Sequence, residues 1–207
     1  MMICNGHIYG VVLNDRDELT RLAPDFHEKP YLAPPAAPVV FMKPAVTLSR
    51  GTVRLEPGRS AVAAATVALL IARDTTGVSA QDALDCVGAA AIAVDIAYGQ
   101  ANYYRPAIAQ RNADGFLLMG AWRSPTLPDR VTTFVDGKVA HEWPLDRLVR
   151  APGQLIADIS AFLTMRAGDV LLIGLPGDAP EVEAGMALRA EAAGFDPATA
   201  LVEEYAR

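Results

Sequence analysis

Residues 61–72 read Ala61-Val-Ala-Ala-Ala-Thr66-Val-Ala-Leu-Leu-Ile-Ala72, an uncharged apolar stretch between Arg59 and Arg73. Its reading decides the fold. Six of its twelve residues are alanine, the strongest helix former. Against that, Val67, Leu69, Leu70 and Ile71 crowd its end and Asp74-Thr-Thr-Gly77 follows as a turn, the pattern of a buried strand. The stretch is ambiguous between the two and interior in either case. It is too short to cross a bilayer, which takes about 20 apolar residues in a helix.

Before it, 2–13 alternates loosely and reads as a strand, and Asn14–Leu22 as a short charged helical turn with Leu19 and Leu22 inward. Pro24, Pro30, Pro34, Pro35 and Pro38 make 24–38 an extended surface segment, because proline lacks an amide donor and fixes φ. Val39–Met42 and Thr52–Leu55 read as short strands.

Beyond it, Ser79 as N-cap with Asp82 three residues on predicts a helix from Ala80 to about Val87, stopped by Gly88. Ala89–Ile96 and Phe116–Trp122 are apolar. Val131–Val135, Asp136-Gly137 and Lys138–Trp143 form the clearest hairpin signal. Leu145–Leu163 has helical spacing broken near Pro152-Gly153, 170–174 reads as a strand, and 185–191 as the last one. Many short strands and frequent Gly/Pro turns predict a strand-dominated α+β fold. The 207 residues carry no internal repeat or linker and are read as a single domain, 1–207.

A composition of 52% hydrophobic and 20% charged residues, with mean hydropathy +0.21, excludes a disordered chain. A net charge of −6 argues against nucleic acid as partner. No signal peptide or membrane span is read, so the expected location is the cytoplasm and no membrane partner is expected. Two cysteines (Cys4, Cys86) and three histidines (His7, His27, His141) exclude a Cys₄ zinc site and a disulfide framework. Metal chemistry would have to rest on carboxylates and suit Mg²⁺, Mn²⁺ or Ca²⁺. Phosphate-binding and dinucleotide glycine loops and the G-x-S-x-G elbow are absent from the sequence. Cys86 reads as core, and Cys4 with it.

An ordered set of short motifs points further. Phe41-Met-Lys-Pro44 follows the proline-rich lead-in. Ala91-Ile-Ala-Val-Asp95, Asp114-Gly-Phe-Leu-Leu-Met-Gly120 and Val135-Asp-Gly-Lys138 come next, and Ala167-Gly-Asp-Val-Leu-Leu-Ile-Gly-Leu-Pro-Gly177 closes the pattern. In this order they resemble the fumarylacetoacetate hydrolase family over roughly residues 9–190. Ala65-Thr-Val-Ala-Leu-Leu70 and Tyr104-Arg-Pro-Ala-Ile108 are similar to the first half of that family's isomerase/decarboxylases of homoprotocatechuate (4-hydroxyphenylacetate) degradation, whose two related halves are fused or separate subunits.

The resemblance implies a mixed β-sandwich or roll. It implies decarboxylation of 5-oxopent-3-ene-1,2,5-tricarboxylate and isomerisation of 2-hydroxyhepta-2,4-diene-1,7-dioate. Mg²⁺ or Mn²⁺ is the implied cofactor, if there is any, and a small 2-oxo or 2-hydroxy dicarboxylate the ligand. A homodimer, or a hetero-oligomer with a related subunit, is the implied assembly. In such sites a chelated cation stabilises the enolate left by CO₂ loss or proton removal. It is held by a Glu-x-Glu pair on one strand face and an Asp on another strand.

This sequence departs from that pattern. The Glu-x-Glu positions fall on Ala64 and Thr66, leaving Asp95 as the sole expected metal ligand of an incomplete site. The family's lysine falls on Arg111, which can clamp a carboxylate but cannot shuttle a proton. Glu18 stands where some members place a catalytic His, which argues against a His-assisted hydrolase, and Leu175 replaces a threonine between Gly174 and Pro176. The resemblance therefore implies Arg111 and Asp114 as catalytic candidates and Lys43, Tyr104, Arg105, Gly174 and Pro176 as substrate-binding ones. Each has a plainer reading: Lys43 as a solvated strand end, Tyr103 and Tyr104 as packing, Asp114, Gly174 and Pro176 as turn residues. Two functions follow, an isomerase/decarboxylase subunit or a metal-free companion of a metal-bearing relative.

Overall fold

The computed structural model describes residues 6–100 and 102–205, so Cys4 lies outside the described residues. In chain order the strands are β1 (Ile8–Val12), β2 (Val39–Lys43), β3 (Thr52–Leu55), β4 (Ala61–Ile71), β5 (Val87–Ala97) and β6 (Leu117–Met119). Then come β7 (Arg130–Val135), β8 (Lys138–Pro144), β9 (Val170–Leu172), β10 (Glu181–Val182), β11 (Ala187–Glu191) and β12 (Ala198–Glu204). The α-helices are α1 (Arg16–Leu22), α2 (Ile108–Arg111) and α3 (Pro152–Ser160).

The alanine-rich stretch is a strand. β4 and β5, eleven residues each, pair antiparallel from Val62–Ala97 to Ile71–Val87. They form the middle of a seven-stranded mixed sheet ordered β2-β1-β9-β4-β5-β6, with β10 also on β4. A strand covered on both faces must be apolar on both, which removes the alternation that would have announced it.

The odd positions of β4 (Ala63, Val67, Leu69) and the even positions of β5 (Ile92, Val94, Ile96) enter the main core. There they meet α3 (Leu155, Ile156, Ile159) and the second sheet, ordered β3-β12-β11-β7-β8, through Val53, Val131, Leu188 and Val202. The opposite face of the large sheet carries Ala64, Thr66, Ala68, Ala93 and Asp95, as the two-residue period of a strand requires. That face floors the site described below.

The strand-dominated α+β expectation agrees with this architecture, and the Asp136-Gly137 hairpin forms. Both turn residues have positive φ (52° and 77°), the geometry that matches strand twist. Three expectations need correction. The Ser79 cap forms, its hydroxyl bonding Asp82, but no α-helix follows: Ala83–Cys86 is one 3-10 turn and β5 begins at Val87. Pairing of β5 with β4 overrides the local signal, and Gly88 lies inside the strand pressed against Ala72. The stretch 145–163 holds a 3-10 turn and only nine residues of helix, with Pro152 at its start. Finally β11 is not the last strand: β12 inserts between β11 and β3. Among the described residues no helix is long and apolar enough to cross a membrane.

Candidate functional site

The site is built where α1 is tied down over the open end of the large sheet. Asn14, fully buried, donates to the carbonyls of Ile173 (2.8 Å) and Arg150 (3.0 Å) and accepts from the Arg150 amide (2.8 Å). Asp15 caps α1 through the Asp17 amide. Its carboxylate is also gripped by Arg147 (2.5 and 3.0 Å) and accepts from the Gly177 amide (3.2 Å). A buried carboxylate needs such partners, and these fix α1 against the Gly174–Gly177 turn.

Below α1, Asp95 sits on β5 directly opposite Ala64 of β4, with its side chain fully buried. One carboxylate oxygen accepts from Lys43 Nζ at 2.6 Å, and the other from Arg111 Nη1 in a short contact. The ammonium of Lys43, itself fully enclosed, also donates to the Arg111 carbonyl at 2.6 Å. Burial pushes the Lys43 ammonium below its ordinary pKa, with Asp95 acting in the opposite direction. The Arg111 guanidinium lies over the Phe41 ring, 5.0 Å from its centroid. Thr66, two residues from Ala64 on the same face, donates to the Gly174 carbonyl at 2.6 Å.

Above this floor opens a hollow of about 500 Å³. Ala64, Asp95 and Arg111 form its base, Leu175, Pro176 and Gly177 one wall, and Arg21, Lys29, Tyr31 and Tyr103 its rim. Glu18 projects from α1 into it, 3% exposed, and accepts a 2.5 Å hydrogen bond from the Tyr103 hydroxyl. Burial raises the pKa of Glu18, outweighing the Tyr103 hydrogen bond that lowers it. Burial together with the neighbouring Glu18 charge raises that of Tyr103 as well. Tyr31 accepts from the Tyr103 amide at 2.6 Å and steadies this rim.

The residues picked from sequence separate into groups. Asp95, Arg111 and Pro176 line the hollow. Lys43 is behind Asp95, its donors turned to Asp95 and backbone carbonyls rather than to the cavity. Gly174 lies beneath the wall, its carbonyl taken by Thr66. Tyr104 and Arg105 line a neighbouring groove of about 390 Å³ beside β2, with Tyr104 59% exposed. Asp114 is exposed at a turn and borders a third hollow with Arg50, Arg54 and Tyr205. In the sequence Glu18 reads only as a replaced His, and Asn14, Asp15 and Arg147 carry no motif that marks them as site residues. A signal for Glu18 was available: it is four residues before inward-facing Leu22, so it shares that helix face.

The fumarylacetoacetate hydrolase C-terminal family matches this chain over residues 7–203. The chain belongs to the fumarylacetoacetate hydrolase family. It is 33% identical over 196 residues to a 4-hydroxyphenylacetate degradation bifunctional isomerase/decarboxylase of Escherichia coli, covering 93% of this chain and 46% of that protein. The chain thus spans about half the length of the curated relatives it matches. Its fold is shared with a 2-hydroxyhepta-2,4-diene-1,7-dioate isomerase from Mycobacterium marinum (TM-score 0.78, 21% identity, 99% of this chain and 77% of that one). A fumarylpyruvate hydrolase from Pseudomonas aeruginosa, solved with Mn²⁺ and pyruvate, shares it too (TM-score 0.79, 18% identity, 97% and 90%).

The residues of this family member do not fit a divalent cation at the equivalent place. Hard cations take several oxygen ligands, and here Ala64 offers a methyl group while Thr66 spends its hydroxyl proton on a carbonyl. Both oxygens of Asp95 are held by cations. Among the described residues no group of three or more His, Cys, Asp or Glu side chains could hold a metal.

Proposed function

We propose that this chain is one half of an isomerase/decarboxylase acting on 2-hydroxyhepta-2,4-diene-1,7-dioate and 5-oxopent-3-ene-1,2,5-tricarboxylate in aromatic catabolism, and that it is the half with no metal of its own. It assembles with a related, metal-bearing half. The observation that carries this reading is the ion-paired cluster Lys43–Asp95–Arg111 opposite Ala64. It sits at the base of a hollow of a size suited to a small dicarboxylate. Arg111 keeps further N–H donors in its guanidinium fork for a carboxylate, and Arg21 and Lys29 at the rim supply positive charge for a second one.

A second reading is a companion that only pairs with and stabilises the metal-bearing half. The engagement of both Asp95 oxygens by Lys43 and Arg111 favours it, since the acid on the floor is committed to structural ion pairs. Turnover of both substrates by the purified chain, by a metal-bearing relative, and by the two co-expressed, each with and without EDTA, separates the readings. Activity of this chain alone in EDTA supports a catalytic half. Activity confined to the mixture supports the companion. No turnover in any preparation overturns the isomerase/decarboxylase assignment.

A further inference from the structure

We propose that Glu18, oriented by Tyr103, is a metal-independent base that enolises a 2-oxo dicarboxylate held in the hollow by Arg111. The proposal rests on the reading above for the class of ligand and extends it to a reaction carried by this chain's own side chains.

Three features of the hollow converge on Glu18. Its carboxylate is almost wholly withdrawn from water yet lines the cavity. One oxygen, Oε1, accepts from the Tyr103 hydroxyl and faces Arg21 at 3.8 Å. Among the described residues no donor is bonded to the other oxygen, which is free to approach a ligand. Placement is built in: Gly177 packs so closely under Glu18 that a Cβ there would stand 2.6 Å from its Cβ and Cγ. A carboxylate kept from water, oriented by one hydrogen bond and facing a cavity is a base poised nearer neutrality than a surface glutamate. The charged and titratable groups acting on it are Tyr103, Asp15, Arg21 and Arg111.

The electrons balance without a co-reactant. Glu18 takes a proton from the carbon next to the keto group, and the C–H pair becomes the new C=C bond. The carbonyl pair moves to oxygen, giving an enolate whose charge is met by the N–H donors of Arg111. Returning the proton from Glu18 to the same carbon, or to the far end of a conjugated chain, yields the starting acid or its isomer and restores the carboxylate. Tyr103 keeps its proton throughout and orients Glu18.

The test uses the whole chain in D₂O with EDTA and 2-oxoadipate as probe. Deuterium uptake at C3 is followed by proton NMR, and binding by calorimetry. The expected result is exchange in EDTA that Glu18→Gln lowers by about 100-fold, the scale of general base catalysis, with the Kd little changed. Tyr103→Phe tests the pair a second way if the Glu18 variant folds poorly. It removes a hydrogen bond to the charged form, so the rise of exchange rate with pH shifts to higher pH. Binding with no exchange, or exchange that appears only on adding Mg²⁺ or Mn²⁺, overturns the proposal and leaves the ligand class standing. Absence of binding overturns both the proposal and the ligand class beneath it.

Discussion

Ala64 and Asp95 are register partners across the two central strands, so the one acid on the floor of the hollow faces a methyl group. Electroneutrality explains what surrounds it. A lone buried carboxylate is costly, and the charge that a cation would supply elsewhere is supplied here by Lys43 and Arg111. The cluster is therefore a structural element as well as part of a site.

That relationship predicts the cost of removing Asp95. Asp95→Asn leaves an enclosed ammonium without its counter-charge, and breaking a buried pair costs about 3–5 kcal/mol. Urea unfolding should show a loss of that order. Lys43→Met should cost less, because Arg111 still neutralises Asp95. A loss below about 1 kcal/mol for Asp95→Asn would mean that the cluster is solvated and not the enclosed one described.

Metal insensitivity is the second expectation. A ligand that binds only the folded state raises its stability by mass action. With both Asp95 oxygens engaged and Ala64 and Thr66 nearby, Mg²⁺ or Mn²⁺ at millimolar levels should leave Tm unchanged, and EDTA should not lower it. Saturable Mn²⁺ binding by calorimetry, lost in Asp95→Asn, is the contrary result.

The sequence made the layer arrangement readable in part, and the reasons differ by element. The hairpin at Asp136-Gly137 declares itself because positive φ at two successive positions demands those residues. β4 is ambiguous because alanine favours a helix yet also fits a tightly paired strand, and only burial on both faces decides. β12 went unread although Ala198, Ala200 and Val202 alternate inward, since small side chains give a faint period. At the site, Asp95 and Arg111 could be picked by resemblance. The turning of Lys43 toward Asp95 could not, because it depends on bringing together two strand ends 52 positions apart. For Glu18 the helix face is legible but the partner is not, since Tyr103 is 85 positions away.

Glu18 also gives stability a pH dependence of definite sign. Burial raises its pKa in the folded state above the unfolded value. Between the two values the folded protein holds a proton that the unfolded chain has released. The contribution is therefore full below the unfolded pKa and is lost as pH rises through the folded one. Glu18→Gln cannot titrate, so its stability relative to the parent should increase with pH across that window and level off above it. Urea midpoints between pH 4 and 8 measure this, and parallel profiles for the two proteins would contradict the burial of Glu18.

Gly177 tests the seating of α1. A Cβ at this position would fall 2.6 Å from Glu18 Cβ, which is fixed to the helix backbone, and 2.6 and 2.7 Å from its Cγ and Cδ. Gly177→Ala must push α1 outward, straining the Asp15 contact with the Gly177 amide and lifting Glu18 from the hollow. Overpacking of this kind costs about 1–3 kcal/mol. Gln81→Ala, at an exposed position outside the hollow, is the control and should stay within about 0.5 kcal/mol of the parent. Unfolding measurements give the first comparison and the rate of deuterium exchange at C3 of 2-oxoadipate the second. If Gly177→Ala matches the Gln81→Ala control in both, α1 is loosely held and the close contact between Gly177 and Glu18 does not position the carboxylate.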